Sequence, residues 1–207
     1  ASVFHLAAVV SAGAEADFDL GMRVNLDGTR HVLEACRRLP KPPHVVFTSS
    51  VAVYGGDMPA VIKDDTPMTP QTSYGAQKAM GEFMINDMSR KGFIDGRALR
   101  LPTIVVRPGK PNKAASTWAS SIIREPLQGD SVECPVEPST EMYVLSPRRM
   151  VESFLHAHEL PASSLGFNRA MFLPGITVPV SAMLDSLRQE GVEKRSMPPP
   201  QLTPGLP

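Results

Sequence analysis

An α/β fold built on a parallel sheet is what this 207-residue sequence predicts, and three observations carry the prediction. Short apolar runs without polar alternation recur along the chain, amphipathic segments of helical period separate them, and the order is strand, helix, strand, helix, strand. Runs of the first kind suit strands covered on both faces. Helical crossovers of one hand then return each strand parallel to the last, with helices on both faces of the sheet.

Val3 to Ala8 reads as the first strand. From Glu15 to Leu39 the apolar positions Phe18, Met22, Val24, Leu26, Val32, Leu33 and Ala35 recur at helical spacing, and Pro40, Pro42 and Pro43 stop them, so one long helix is expected. Val45 to Ser49 is a second buried strand, followed by a loop from Gly55-Gly56 to Gln71. Ser73 to Lys91 regains the helical period, with Met80, Phe83, Met84 and Met88 as its core stripe and Gly92 as a left-handed cap. A third strand, Ala98 to Val105, runs into the Pro108-Gly109 break. Beyond Pro111 a helix (Ala114 to Leu127), two short strands (Ser131 to Pro135 and Glu141 to Leu145) and a helix (Pro147 to Glu159) read as a smaller lobe interleaved with the end of the sheet. The predicted organisation is a sheet domain over 1–110, a lobe over 111–192, and a proline-rich tail over 193–207 that is expected to be disordered.

Lys plus Arg and Asp plus Glu both total 21, so no basic excess draws nucleic acid or an anionic membrane surface. No apolar run reaches the roughly 20 residues that span a bilayer. Cys36 and Cys134 stand far apart without metal-like pairing, which argues against a zinc site or a disulfide framework and fits a reducing cytoplasm. His5 reads as a packed strand residue, and His31, His44, His156 and His158 show no ligand spacing, so no metal is expected. The chain opens directly into a strand pattern without an initiator Met, and is expected to be cut from something longer.

Tyr74 and Lys78 stand four positions apart, so on a helix they share one face. A free phenol, with a pKa of about 10, is a poor base at neutral pH; a nearby ammonium favours phenolate, so Lys78 is expected to make Tyr74 a proton acceptor. Thr48-Ser49-Ser50 closes the preceding strand at its carboxyl end, the edge where open parallel sheets bind ligands. A serine hydroxyl there can hold a substrate oxygen against the phenol, although an isolated Thr-Ser-Ser equally serves a turn.

His5-Leu6-Ala7-Ala8 at a strand end, Asn25 with Gly28-Thr29 on the next helix, Phe47 to Ser50 running into Val53-Tyr54-Gly55, and Ser73 to Lys78 together resemble the ordered signature of the extended short-chain dehydrogenase/reductases. That family holds nucleotide-sugar epimerases and dehydratases, and the resemblance covers about Val3 to Gly191. It implies a Rossmann-like sheet, with Tyr74 as general base, Lys78 as its electrostatic partner, proton relay and ribose ligand, and Ser50, or in its stead Ser49, as the substrate-orienting hydroxyl. It further implies that Ala7 and Ala8 admit the dinucleotide, that Asn25 anchors a hydrogen-bond relay, and that Pro102, Thr103 and Ile104 border the nicotinamide. Small core residues at 7 and 8, and a helix-kink or packing role for Asn25, are the competing readings.

Arg100 to Asn112, Ile123 to Leu127 and Leu145 to Arg149 resemble the branch that oxidises a four-carbon sugar acid, D-erythronate, at its C2 hydroxyl. A carboxylate substrate needs a cation; Arg107 is the first choice and Arg149 another, with Lys110, Lys113 and Arg148 in the same set. The cofactor expected is NAD, with NADP open, because the family's glycine-rich phosphate turn and its specificity residue do not occur in this sequence. The first three strands of such a sheet are counted as missing, and the 207 residues alone are expected to bind dinucleotide poorly or not at all. A same-fold epimerase or dehydratase, and a truncated non-catalytic chain, are the alternatives. The resemblance also implies a helix-mediated homodimer.

Overall fold

The computed structural model describes residues 1–109, 114–192 and 201–202. It divides into two units, Ala1–Leu101 with Val151–Leu173, and Pro102–Met150 with Pro174–Pro207. The sequence reading divides the chain after residues 110 and 192, whereas the chain passes between units after Leu101, Met150 and Leu173.

In the first unit, β1 (Ser2–His5), β2 (His44–Ser50), β3 (Asp95–Leu101) and β7 (Ala170–Phe172) form one sheet in the order β1-β2-β3-β7. All neighbours are parallel, with His5 opposite Phe47 and Ser50 opposite Leu101. The carboxyl ends of these strands therefore share one edge. The expected strand Val3 to Ala8 stops at His5, and Leu6 to Val10 form a connecting segment.

The long helix expected over Glu15 to Leu39 is four pieces: α1 (Ser11–Ala16), α2 (Phe18–Gly21), a π-helical segment (Met22–Asp27) and α3 (Gly28–Arg37). Asp17 breaks the first turn and caps the next, its carboxylate accepting from the Leu20 amide at 2.9 Å. The π segment is where Asn25 turns inward. Hydrophobic period alone does not register either feature, because each depends on local hydrogen bonding rather than on apolar spacing.

Helix α4 (Ser73–Arg90) matches the sequence reading closely. Thr72 caps its start through the Gly75 amide at 3.1 Å. Its end is a Schellman turn, with Gly92 at φ 72° and the Phe93 amide bonded to the Met88 carbonyl. The expected stripe is met in part: Met84 and Met88 pack against the core, but they flank the buried face. Phe83 is 62% exposed, while Lys78, Gly81, Glu82 and Ile85 point inward. Leu33, Cys36, Val45, Phe47, Ile85 and Ala98 close one core on this side, packing α3 and α4 against β2 and β3. On the other side, fully buried Arg97 donates to the carbonyls of Ala157 and Leu160 at the end of α6 (Pro147–Glu159).

The expected third strand breaks at Pro102, which has no amide hydrogen to continue the ladder. Thr103–Ile104 (β4) instead pairs in the second unit with β6 (Glu141–Leu145), and β6 pairs antiparallel with β8 (Ile176–Pro179). Helices α5 (Trp118–Gln128) and α7 (Val180–Val192) pack there around Ile122, Cys134, Val180, Met183 and Leu184. Within the segment expected to be a disordered tail, Gln201–Leu202 (β9) pairs with Glu133–Cys134 (β5), and the rest of 193–207 lies outside the described residues. Cys36 and Cys134 are free and buried, and no described helix is long and apolar enough to cross a membrane.

Candidate active site

Two glycines let α4 lie against β2. A β-carbon on Gly81 would stand 2.6 Å from the Phe47 ring, and one on Gly75 would stand 2.1 Å from the Ala52 carbonyl oxygen. This close approach brings Tyr74 and Lys78 to the carboxyl edge of the sheet. Lys78 is 2% exposed; its ammonium donates to the Thr48 carbonyl at 2.5 Å and lies 4.8 Å from the Phe47 ring centroid and 5.6 Å from that of Tyr74. The Ser50 hydroxyl lies near enough to the Tyr74 phenol to lower its pKa. Ser50 Oγ also accepts from the Ala52 amide at 3.1 Å, capping the short 3-10 turn Val51–Val53. Ser50, Tyr74 and Lys78 thus form one cluster.

Its electrostatics differ from the sequence expectation. Burial pushes the Tyr74 phenol above its ordinary 10, against a smaller lowering by the Ser50 hydroxyl. Burial brings the Lys78 ammonium down to about 8. Desolvation of the phenol sets the direction of the Tyr74 shift, and Lys78 is not among its causes. A relay from Lys78 directly to solvent is likewise closed, since the ammonium is covered and aimed at Thr48.

Ser49 leaves the candidate set. Successive strand residues face opposite ways, and Ser49, 1% exposed, donates to buried Glu82 Oε1 at 2.5 Å. Asn25, 2% exposed, spends its amide on structure. It donates to the Val9 carbonyl at 2.9 Å and to Gln77 Oε1 at 2.7 Å, and accepts from the Val9 amide at 2.8 Å. Both amide hydrogens are used, so the packing reading of Asn25 has the better support and a relay through its amide donors has none. Ala7 is exposed and Ala8 half-buried.

His5 is buried and adjoins this cluster. Thr29 Oγ1 donates its one proton to the Asn25 carbonyl at 2.6 Å, so the 2.9 Å contact between Thr29 and His5 Nε2 requires the imidazole to donate. Burial, with a smaller push from Lys78, lowers its pKa and keeps the ring neutral.

The remaining predicted residues belong to the second unit. Pro102 is buried before β4, and Thr103 and Ile104 face Val144 and Leu145 of β6. Arg107 is half-buried. Its amide donates to Ser120 Oγ at 3.2 Å, its guanidinium lies 3.4 Å from Thr117 Oγ1, and burial with nearby Arg124 lowers its pKa. Arg149 is exposed, its amide donating to Ser146 Oγ at 3.3 Å; Arg148 is also exposed. Lys110 and Lys113 lie outside the described residues.

Sequence reasoning missed Glu82 and Arg100, which pair beneath the cluster at 2.7 Å. A signal existed: an acid on the same stripe of α4 as Lys78, and an arginine inside an apolar strand run, each too costly to bury alone.

The model of the NAD dependent epimerase/dehydratase family matches residues 1–160. The chain belongs to that family. It is 59% identical over 188 residues to a D-erythronate dehydrogenase of Cupriavidus necator, covering 91% of this chain and 58% of that protein. It is 50% identical to the D-erythronate dehydrogenase of Haemophilus influenzae, covering 91% of this chain and 60% of that one. Among solved structures of this fold, a nucleoside-diphosphate-sugar epimerase from Agrobacterium tumefaciens superposes with a TM-score of 0.90 at 42% identity, over 99% of this chain and 60% of that one. The chain therefore spans about three-fifths of the length of these relatives.

A nicotinamide dinucleotide is the cofactor that membership in the family implies, and the residues present fit part of it. Among described residues Lys78 makes one hydrogen bond, to Thr48, which leaves ammonium hydrogens for ribose hydroxyls. Ala7 is exposed at the same edge, and Ala7 and Ala8 place only methyl side chains there.

Proposed function

We propose that the intact protein carrying this chain is an NAD(P)-dependent dehydrogenase that oxidises a secondary alcohol of a small sugar acid, D-erythronate or a close analogue, at C2. The observation that carries the reading is the Ser50–Tyr74–Lys78 cluster at the carboxyl edge of a parallel sheet. The identity to two D-erythronate dehydrogenases supports the substrate class.

The bound dinucleotide supplies the hydride acceptor. Ser50 Oγ holds the substrate hydroxyl oxygen beside the phenol, which fixes the orientation of the reacting carbon. Tyr74 takes the hydroxyl proton at its phenolic oxygen. Because burial raises the pKa of Tyr74, the phenolate forms only where substrate and cofactor groups complete its hydrogen bonds, and oxidation is favoured on the alkaline side. Lys78 holds the ribose, and its ammonium, present up to about pH 8, stabilises the phenolate within that range. Arg107 pairs with the substrate carboxylate, its half-buried guanidinium having no carboxylate partner among the described residues.

The likeness to a nucleoside-diphosphate-sugar epimerase favours a second reading, in which the hydride returns to the substrate within one cycle. Incubating the intact protein with D-erythronate and NAD or NADP separates the two. A dehydrogenase accumulates reduced cofactor in step with substrate consumed, and an epimerase accumulates none.

A further inference from the structure

Beneath the cluster, in the first unit, lies a buried polar network that the proposed chemistry does not use. Glu82, 1% exposed, sits one turn beyond Lys78 on α4, and Arg100, 4% exposed, rises from β3. The pair is a fork: Arg100 Nη2 to Glu82 Oε2 at 2.7 Å, and Nε to Oε1 at 3.0 Å. The same Oε1 accepts the Ser49 hydroxyl at 2.5 Å. Arg100 Nη1 donates to the Tyr54 hydroxyl, and Nη2 lies 3.6 Å from Met68 Sδ. Its guanidinium stacks 5.2 Å from the Tyr54 ring and 5.4 Å from that of Phe172.

Burying an ion pair is a poor way to gain stability, because desolvation offsets most of the attraction and an apolar pair of similar volume does as well. What a bidentate fork supplies is geometry. Here it ties three elements at the level where Ser50, Tyr74 and Lys78 meet. On β2 it holds the hydroxyl next to Ser50. On α4 it holds the residue one turn past Lys78 and two turns past Tyr74. A slide of α4 along β2 would break the 2.5 Å contacts from Ser49 to Glu82 and from Lys78 to Thr48 together.

We propose that Glu82 and Arg100 are positioning residues for the Ser50–Tyr74–Lys78 site, holding α4 in register along β2 through Ser49. The inference rests on reading that cluster as a proton-transfer site, and its test separates the two claims. The titratable groups facing Lys78 are His5 from β1 and Tyr74 from its own helix, and neither belongs to the network.

The test is the titration of the Lys78 ammonium in the intact protein by lysine side-chain nitrogen NMR, its signal assigned by loss in Lys78→Arg. Glu82→Asp keeps both charges of the pair and withdraws the carboxylate by about 1.5 Å, one carbon–carbon bond. A through-space charge effect on Lys78 is thereby held nearly constant. Loss of register admits water to the ammonium, and its midpoint moves from about 8 toward the ordinary 10.5. Turnover falls on the order of 100-fold alongside it. An unshifted midpoint in folded Glu82→Asp overturns the proposal. If that variant does not fold, Arg100→Lys, which keeps charge and loses the fork, is read the same way; collapse of both overturns the positioning role in favour of a general core role. Absence of turnover in the unsubstituted protein counts against the proposed function, and the Lys78 midpoint still decides the positioning claim.

Discussion

Gly75 is the residue through which sequence, packing and site are most tightly joined, and Gly75→Ala is the perturbation to make. Its backbone is helical, so alanine is conformationally allowed and should add up to about 1 kcal/mol of helix propensity. Against that, the new β-carbon would stand 2.1 Å from the Ala52 carbonyl oxygen and 3.1 Å from Pro70 Cβ. Ordinary contact begins at 3.4 Å, so about 1.3 Å must open between α4 and the turn after β2. The nearest atom is backbone, and no side-chain rotation relieves it. Overpacking of this kind costs about 1–3 kcal/mol, and an overlap of about 1.3 Å with backbone places it at the upper end, so the steric term wins and the variant is destabilised by about 2 kcal/mol net. The same opening separates Tyr74 from Ser50, and a displacement near 1 Å costs on the order of 100-fold in turnover. Urea unfolding followed by far-ultraviolet circular dichroism reads the first effect and steady-state kinetics the second. Gly92→Ala is the control: at φ 72° with open space around it, it loses about 1 kcal/mol from backbone strain and leaves turnover unchanged. A Gly75→Ala protein as stable and as active as the parent would mean that α4 does not depend on this close approach.

Three further outcomes are expected. The folded pKa of Lys78, about 8, lies below its ordinary 10.5, so between those values the unfolded chain holds more protons and stability rises with pH, by up to roughly 3 kcal/mol; Lys78→Met lacks this rise when unfolding is compared at pH about 7 and about 10. Tyr74 opposes it only above pH 10, where its raised pKa makes the unfolded chain lose its proton first. Ser50→Ala reduces turnover on the order of 100-fold and costs about 1 kcal/mol through the lost turn cap, whereas Ser49→Ala, by stripping a buried carboxylate of a donor, lowers stability by about 1–3 kcal/mol and turnover less; a larger turnover loss in Ser49→Ala than in Ser50→Ala would undo the assignment of the two serines. Arg107→Met raises KM for the sugar acid by roughly 10-fold to 100-fold and leaves KM for the dinucleotide near its original value, and an unchanged sugar-acid KM would remove Arg107 from the substrate site.

The fold was largely legible because its signals are local. Val45 to Ser49, Thr72 with Gly92 around α4, and the apolar run before Pro102 each carry a propensity or capping signal that needs no partner to interpret. The π segment at Met22–Asp27 was not, since a bulge that turns Asn25 inward depends on Val9 and Gln77 far along the chain. Strand β7 and strand β8, three and four residues long, were missed because they exist only by pairing with β3 and β6. At the site, the spacing of Tyr74 and Lys78 gave their common placement, but burial, which reverses the sense of the Tyr74 shift, is a tertiary quantity. Alternation along β2 was available to separate Ser49 from Ser50; what sequence alone could not supply was Glu82 waiting behind Ser49.

The most direct test of the central claim is the pH dependence of dinucleotide reduction by the intact protein with D-erythronate, measured beside Tyr74→Phe. Substrate-dependent reduction that increases above neutrality, and a fall on the order of at least 100-fold at every pH in Tyr74→Phe while dinucleotide binding persists, is the predicted result. A Tyr74→Phe protein that reduces the dinucleotide at the parental rate would contradict the assignment of Tyr74 as proton acceptor, and with it the reading of the whole cluster.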